Sequence, residues 1–419
     1  MKKNFLMTLS ALLLASTLVG CGEPNNDSSS NGGTTSNHYD IKVWAAENAV
    51  SLTETQLAKF KADNPNYDVT FTVEAQGEGD AASNMITDVE AGADIFCFAQ
   101  DQLTRLKTAG ALAKVTGTVA EEIKANNDGG SVSAATINGD LYAYPLTSDN
   151  GYFMYYDKRF INEDHLNDMS ALIKDCKDNG KLFSFQLGED GGWYNAAFFF
   201  ATGCESTWTP DDSGKLSSYV DTYSSANGLI AAKGMKELIT SGVWNNASGA
   251  PSAFASDSAI VISGTWDYAE TVKVLGDNLG VTDLPEFTVD GKSYHLGSFG
   301  GFKLMGVKPQ TDSTKAAICS LVAKYLTGET CQNERFEALA WGPSNVNAQN
   351  SDAVKSNPAL VALALQSQHA VPQGQYPDGW WSLAAAIGSD IFTAGADATD
   401  DQLDNILKTY AAGLDACKQ

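Results

Sequence analysis

Apolar positions along the chain recur with two periods, and their alternation divides the early part of the sequence into strands and helices by turns. Ile41–Trp44 reads as a first strand. Ser51-Leu52-Thr53-Glu54 has capping-box spacing and predicts a helix through Leu57 and Phe60 that stops near Asn64-Pro65. Val69–Val73 alternates apolar with polar, as a half-buried strand does. Ala81–Ala91 predicts a second helix with Met85, Ile86 and Val89 on one face. Asp94–Ala99 is almost wholly apolar, the pattern of a strand buried on both sides, and helix signals return over Gln102–Thr108. Strand alternating with helix points to an α/β lobe with a largely parallel sheet.

Farther along, Met169–Cys176, Leu229–Ser241, Thr314–Leu326 and a segment from Glu329 have helical spacing. Gly191-Gly192-Trp193-Tyr194 opens an apolar helical run over Ala196–Thr202. Leu182–Leu187 reads as a strand, and Ala259–Ser263 as a buried strand that breaks at Gly264-Thr265-Trp266-Asp267. Ser298–Val307 is apolar and glycine-rich. Three helical patterns, Pro358–His369, Trp380–Phe392 and Asp400–Ala416, close the chain, and no internal repeat is evident.

Gly139–Asp157 is the richest stretch. Two short aromatic runs flank Leu146–Gly151, with Asp149 on the connector, where a chain crossing between two lobes could bend. A carboxylate beside Tyr142, Tyr144, Tyr152 and Tyr155 has the parts of a carbohydrate site: flat rings for the CH faces of a sugar and an acceptor for its hydroxyls. The bland alternative is an edge hairpin whose tyrosines pack on the core.

The first residues carry their own chemistry. Lys2 and Lys3 precede a short apolar core, Phe5–Leu14, and Leu18-Val19-Gly20-Cys21 resembles the bacterial lipoprotein cleavage box. Residues 1–20 are therefore expected to leave as a signal peptide, with Cys21 lipidated and residues 21–39 acting as a flexible polar tether. The roughly 380 residues beyond exceed what one core usually supports, so two lobes are expected.

Net charge is −24, and −26 once Lys2 and Lys3 leave with the leader. Such a surface repels nucleic acid and anionic lipid. The six cysteines beyond Cys21 form no CxxC pair and the four histidines are scattered, so neither a metal site nor a cofactor is expected. Export permits disulfides, and spacing does not choose among pairings; small buried thiols are the other reading.

The sequence is 10% aromatic, and Trp44, Phe98, Trp193, Tyr194, Trp266, Trp380 and Trp381 fall where loops meet element ends. Rings so placed can offer a face to a cleft. Glu47, Asp101, Asp149, Glu189, Asp190 and Asp267 lie close by in sequence. A glycoside hydrolase would also pair carboxylates across such a cleft. No GxSxG elbow, P-loop or GxGxxG turn occurs.

The order of these features resembles the extracellular solute-binding proteins of ABC sugar importers, in their maltose/maltodextrin-binding branch. The anchors are IKVWAAEN (41–48), ADIFCFAQDQL (93–103), LYAYPLTSDNGYFMYYDK (141–158), FASDSAIVISGTWDYAE (254–270), GGFKLMGVKP (300–309), WGPSNVNA (341–348) and GWWSLAAAI (379–387). The resemblance implies an α/β, two-lobed periplasmic-binding-protein fold with a hinge between the lobes. One lobe would comprise residues 40–148 and 299–349, the other 150–297 and 350–419. It further implies a monomer that binds an oligosaccharide between the lobes, performs no catalysis, and delivers its ligand to an ABC permease.

Carried over residue by residue, the resemblance assigns Phe98, Trp266 and either Trp380 or Trp381 to sugar stacking. Tyr194 or Trp193 would contribute from the second lobe. Asp101, Asp149, Glu47 and Asn48 would make polar contacts. Gln102 stands where maltose binders carry an arginine, Ala49 or a neighbour replaces a lysine, and no arginine follows Trp381. Losing charge-assisted donors leaves the sugar open: an α-glucan or another neutral oligosaccharide fits.

Overall fold

A computed structural model describes residues 37–211 and 213–418. The leader, Cys21 and most of the tether lie outside these residues; Tyr39, assigned to the tether, already begins the first strand.

Two five-stranded sheets form the frame. In the first, the order is Val69–Ala75, Tyr39–Ala45, Ile95–Ala99, Lys303–Val307, Tyr144–Thr147. The first three run parallel, and Lys303–Val307 returns from late in the chain to pair antiparallel with both neighbours. In the second sheet the order is Trp244–Asn245, Leu182–Ser184, Ser258–Ser263, Phe153–Asp157, Leu279–Thr282. Phe153–Asp157 is antiparallel to both of its partners. Ile95–Phe98 and Ala259–Ser263 are buried throughout, which accounts for their unbroken apolar runs: helices cover both faces. Each sheet has its own core, one built around Ile41, Phe96, Leu106 and Val322, the other around Met154, Phe183, Phe198 and Ile391. The molecule is two-lobed.

Thr147 and Phe153 belong to different sheets, so Gly139–Asp157 is a crossing and not a hairpin. Its tyrosines do pack inward. Tyr144, Tyr152 and Tyr155 are at most 2% exposed, and their hydroxyls reach Ser320 Oγ (2.8 Å), the Trp193 carbonyl (3.3 Å) and the Gly264 carbonyl (2.7 Å). The aromatic richness of the stretch is core, not sugar-binding surface. Two further segments pass beside it: Ser298–Gly300 pairs in parallel with Ala370–Pro372, and Pro343 bridges to Thr147.

Several elements differ from the sequence reading. The first helix runs Val50–Asp63 without a side-chain cap, because the chain enters it from a 3-10 turn over Glu47–Ala49; Ser51 is already inside it. The second is Ala81–Thr87, shorter than expected, with Met85 buried and Ile86 38% exposed. Leu182–Ser184 stops three residues before the apolar run does. The other expected helices, Leu103–Thr108, Met169–Asp178, Gly192–Ala201, Ala226–Ile239, Ser313–Leu326, Glu329–Leu339, Pro358–Gln366, Asp378–Ala394 and Asp400–Gly413, lie within a few residues of their patterns, whereas helices such as Gly117–Asn126 and Tyr268–Leu275 had none. The β-hairpins Ser206–Asp221 and Glu286–His295, too polar for a strong period-2 signal, had no sequence counterpart.

All six body cysteines are free and buried. Burial pushes the Cys97 and Cys319 thiols up to about 12, so they act as small neutral hydrophobes.

Candidate functional site

A cleft of about 1080 Å³ runs between the two sheets. Its aromatic wall comes from element ends. Trp193 and Tyr194 stand on the first turn of Gly192–Ala201, Trp381 on the first turn of Asp378–Ala394, and Trp266 on the 3-10 turn that follows Ser258–Ser263. Trp341 comes from the third crossing, after Glu329–Leu339 ends. Trp193 and Trp266 approach to 5.9 Å between ring centroids, and Trp193 lies nearly parallel to Phe299 at 6.4 Å.

Two glycines permit this. A Cβ on Gly264 would fall 2.1 Å from the Trp266 ring, and one on Gly192 would fall 2.1 Å from the Trp381 carbonyl oxygen. Any side chain there would push the rings out of place.

The opposite wall is polar and comes from the C-terminal ends of the first sheet's parallel strands, where open α/β sheets place their ligands, together with the start of the antiparallel strand Lys303–Val307. Asn48, residues 77–80, Asp101, Gln102 and Lys303 line it. Gln102 organises the loop: its amide oxygen accepts from the Ala82 N–H (2.8 Å), and its nitrogen donates to the carbonyls of Glu78 (2.7 Å) and Gly79 (2.6 Å).

Lys303 is a buried cation. Its ammonium sits 4.3 Å from the Trp341 ring centroid, 5.1 Å from that of Trp266, and 3.6 Å from Glu78. Asp101 is 3% exposed and its Oδ1 has no partner; burial raises its pKa to about 7, opposed by the nearby Arg105. Asp267 is likewise raised by burial, while its Oδ2 accepts from the Ala250 N–H and Ser263 Oγ, both at 2.7 Å.

Groups of the two walls also meet directly. Asn48 Nδ2 donates to the Trp266 carbonyl (3.3 Å), Ser83 Oγ to Asp378 Oδ2 (2.7 Å), and Arg105 pairs with Asp378 at 2.8 Å.

The cleft brings together six of the ten expected ligand-binding residues: Asn48, Asp101, Trp193, Tyr194, Trp266 and Trp381. Both Trp193 and Tyr194 line it. The four others lie elsewhere. Glu47 is solvent-exposed on the 3-10 turn and is not among the lining residues. Phe98 is fully buried, packed on Phe96 at 5.7 Å, because strand alternation turns it into the core and leaves Ala99 at the cleft. Trp380 is fully buried and donates its Nε1–H to Tyr410 Oη (2.9 Å); one step along the helix turns Trp381 outward instead.

Asp149 is the fourth. It is 2% exposed and absent from the lining; its Oδ2 accepts from Thr265 Oγ1 and the Gly342 N–H, both at 2.6 Å. It ties its own crossing segment to the one carrying Gly342 and to the turn that follows Ser258–Ser263.

Trp341, Lys303, Glu78, Asn150 and Gln373 were not anticipated as site residues. Trp341 carried a signal, since it opens the WGPSNVNA anchor between Ala340 and Gly342. Lys303 lay inside the GGFKLMGVKP anchor, but a lysine in an apolar run gives no sign that it faces a cleft. Gln373 is held by the Trp193 Nε1–H (3.1 Å) and Asn150 Nδ2 (3.5 Å), partners more than 170 residues away in sequence.

The sequence signature described as "Bacterial extracellular solute-binding protein" matches residues 55–362. A maltotriose-binding protein of Pyrococcus abyssi (strain GE5 / Orsay) is 20% identical over 391 residues, 88% of this chain and 80% of that protein. Among solved structures, one with acarbose superposes with a TM-score of 0.77 at 26% identity, covering 90% of this chain and 100% of the other. The maltose/maltodextrin-binding domain from Bdellovibrio bacteriovorus bound to maltotriose gives 0.73 at 18% identity, with the same coverage. With the signature spanning most of its length and the same two-lobed frame, the chain belongs to the bacterial extracellular solute-binding protein family.

Proposed function

We propose that this protein captures an oligosaccharide of the maltose or maltodextrin kind between its lobes and hands it on intact to the permease of an ABC importer. One observation carries the reading: Trp193, Trp266, Trp341 and Trp381 line a single cleft opposite a wall of hydrogen-bonding groups. Rings cover the apolar face of a sugar, and the polar wall supplies partners for hydroxyls that would each cost about 1–3 kcal/mol if buried unpaired. Of the relatives described above, one is named as maltotriose-binding, one as a maltose/maltodextrin-binding domain, and one is solved with acarbose.

Membership of an extracellular family puts the folded body outside the cytoplasm. A lipid on Cys21 would hold it at the membrane, and the segment between Cys21 and the first strand would let it reach its permease, raising the local concentration of loaded protein. The moving bodies are residues 40–148 with 299–349 and residues 150–297 with 350–419. Ligand groups split between them are satisfied only on closure, so ligand selects the closed state by differential affinity.

Calorimetric titration with maltose, longer α-glucans and xylo-, cello- and fructo-oligosaccharides tests this, with each sugar recovered and chromatographed. Saturable binding of an α-glucan that comes back whole is expected. Shortened sugars would make the cleft hydrolytic, and absence of binding across the panel would refute the oligosaccharide reading.

A further inference from the structure

We propose that the cleft is built for an oligosaccharide carrying a protonated amine, bound with its ammonium against Asp101, in preference to the neutral sugar of the same length. The proposal rests on the oligosaccharide reading and narrows it.

Charge is unbalanced at this enclosed site. Six carboxylates line the cleft (Glu78, Asp80, Asp101, Asp190, Asp267 and Asp378), and Lys303 is the lining cation. Its charge is committed. The ammonium faces Glu78 at 3.6 Å and two indole rings, with a side chain only 7% exposed. The other cation within reach, Arg105, pairs with Asp378 at 2.8 Å. After these pairings Asp80 and Asp190, both exposed at the rim, and the more enclosed Asp101 and Asp267 are left without a cation in contact.

Asp101 separates this cleft from one merely rimmed by acids. Its carboxyl is 3% exposed on the cleft wall and its Oδ1 meets no donor. Ionising a carboxyl so enclosed costs free energy that a ligand must supply. A sugar hydroxyl supplies one neutral hydrogen bond. An ammonium supplies up to three donors and a compensating charge, and charge-assisted bonds are about twice as strong. The rim carboxylates add a long-range attraction that would draw a cation in. Asp267 is less available, because its Oδ2 is already occupied by the Ala250 N–H and Ser263 Oγ.

The test compares maltotriose with its three singly substituted 6-amino-6-deoxy isomers by calorimetry at neutral pH and physiological salt. At least one isomer is expected to bind about tenfold or more tightly than maltotriose. In Asp101→Asn, which keeps the shape of the side chain and removes its charge, that preference should collapse toward unity, read as the ratio of the two affinities in the variant whatever its affinity for maltotriose itself. Thermal unfolding of the variant checks that it is folded. Maltotriose binding with no isomer favoured overturns the proposal and leaves the oligosaccharide reading standing. A preference that survives Asp101→Asn overturns the assignment to Asp101. Binding of none of the four sugars refutes the underlying reading and the proposal with it.

Discussion

Trp266 and Trp380 show how differently two tryptophans of one chain can be used. Trp266 lines the cleft, so Trp266→Ala is expected to weaken oligosaccharide binding at least about tenfold, ~1.4 kcal/mol, in a calorimetric titration. Unchanged affinity would remove it from the site. Trp380 is fully buried against Tyr376 and Tyr410, and Trp380→Ala should cost about 3–5 kcal/mol in urea unfolding while the protein that remains folded keeps its affinity. Asp101 adds a pH dependence. Its carboxyl, raised to about 7, is protonated in the empty cleft at lower pH, with Arg105, Asp378 and Tyr376 its polar and charged neighbours. Ligand donors favour the ionised form, so binding releases a proton and affinity should rise with pH between about 5 and 8. Stability has the opposite sign: above its unfolded value and up to about 7 the unfolded state has given up the proton that the folded state retains, so Asp101 makes stability fall as pH rises through that window. Titrations at several pH values, and melting curves of wild type against Asp101→Asn, read both effects. At this scale the sequence shows which residue types gather but not which way a side chain turns. Phe98 against Ala99 and Trp380 against Trp381 differ by one position, and one position decides core or cleft.

Helices with long apolar faces and strands buried on both sides were legible because burial over ten or more residues leaves a periodic trace. Short elements follow tertiary context instead. Ser51-Leu52-Thr53-Glu54 has the residues of a capping box, yet the preceding 3-10 turn starts the helix earlier. The Gly139–Asp157 stretch could be read either as a crossing or as an edge hairpin because its two strands are local in sequence; they are separated because Lys303–Val307 pairs with the first and Ser258–Ser263 with the second. The connector between them is then free to serve as a hinge, with Asp149 at its centre. Asp149→Ala would leave the Gly342 N–H and the Thr265 hydroxyl buried without their acceptor, at about 1–3 kcal/mol each. We expect a lower urea midpoint for this variant, together with weaker ligand binding because closure is no longer guided. A variant as stable as the wild type would show that the tie is dispensable.

At the scale of the molecule, two separately cored sheets joined by crossing segments make a device whose site is complete only when both halves contribute. Asn48 to Trp266, Ser83 to Asp378 and Arg105 to Asp378 are bonds made across that divide. The two-lobed order was legible in the sequence as a series of collinear anchors, whereas Lys303 and Gln373 were not, since their partners arrive from distant segments. The account turns on capture by closure, and small-angle scattering during a maltotriose titration tests it most directly. The radius of gyration should fall saturably as the sugar binds, and the sugar should be recovered at its original length. A radius that stays constant while maltotriose demonstrably occupies the protein would contradict it.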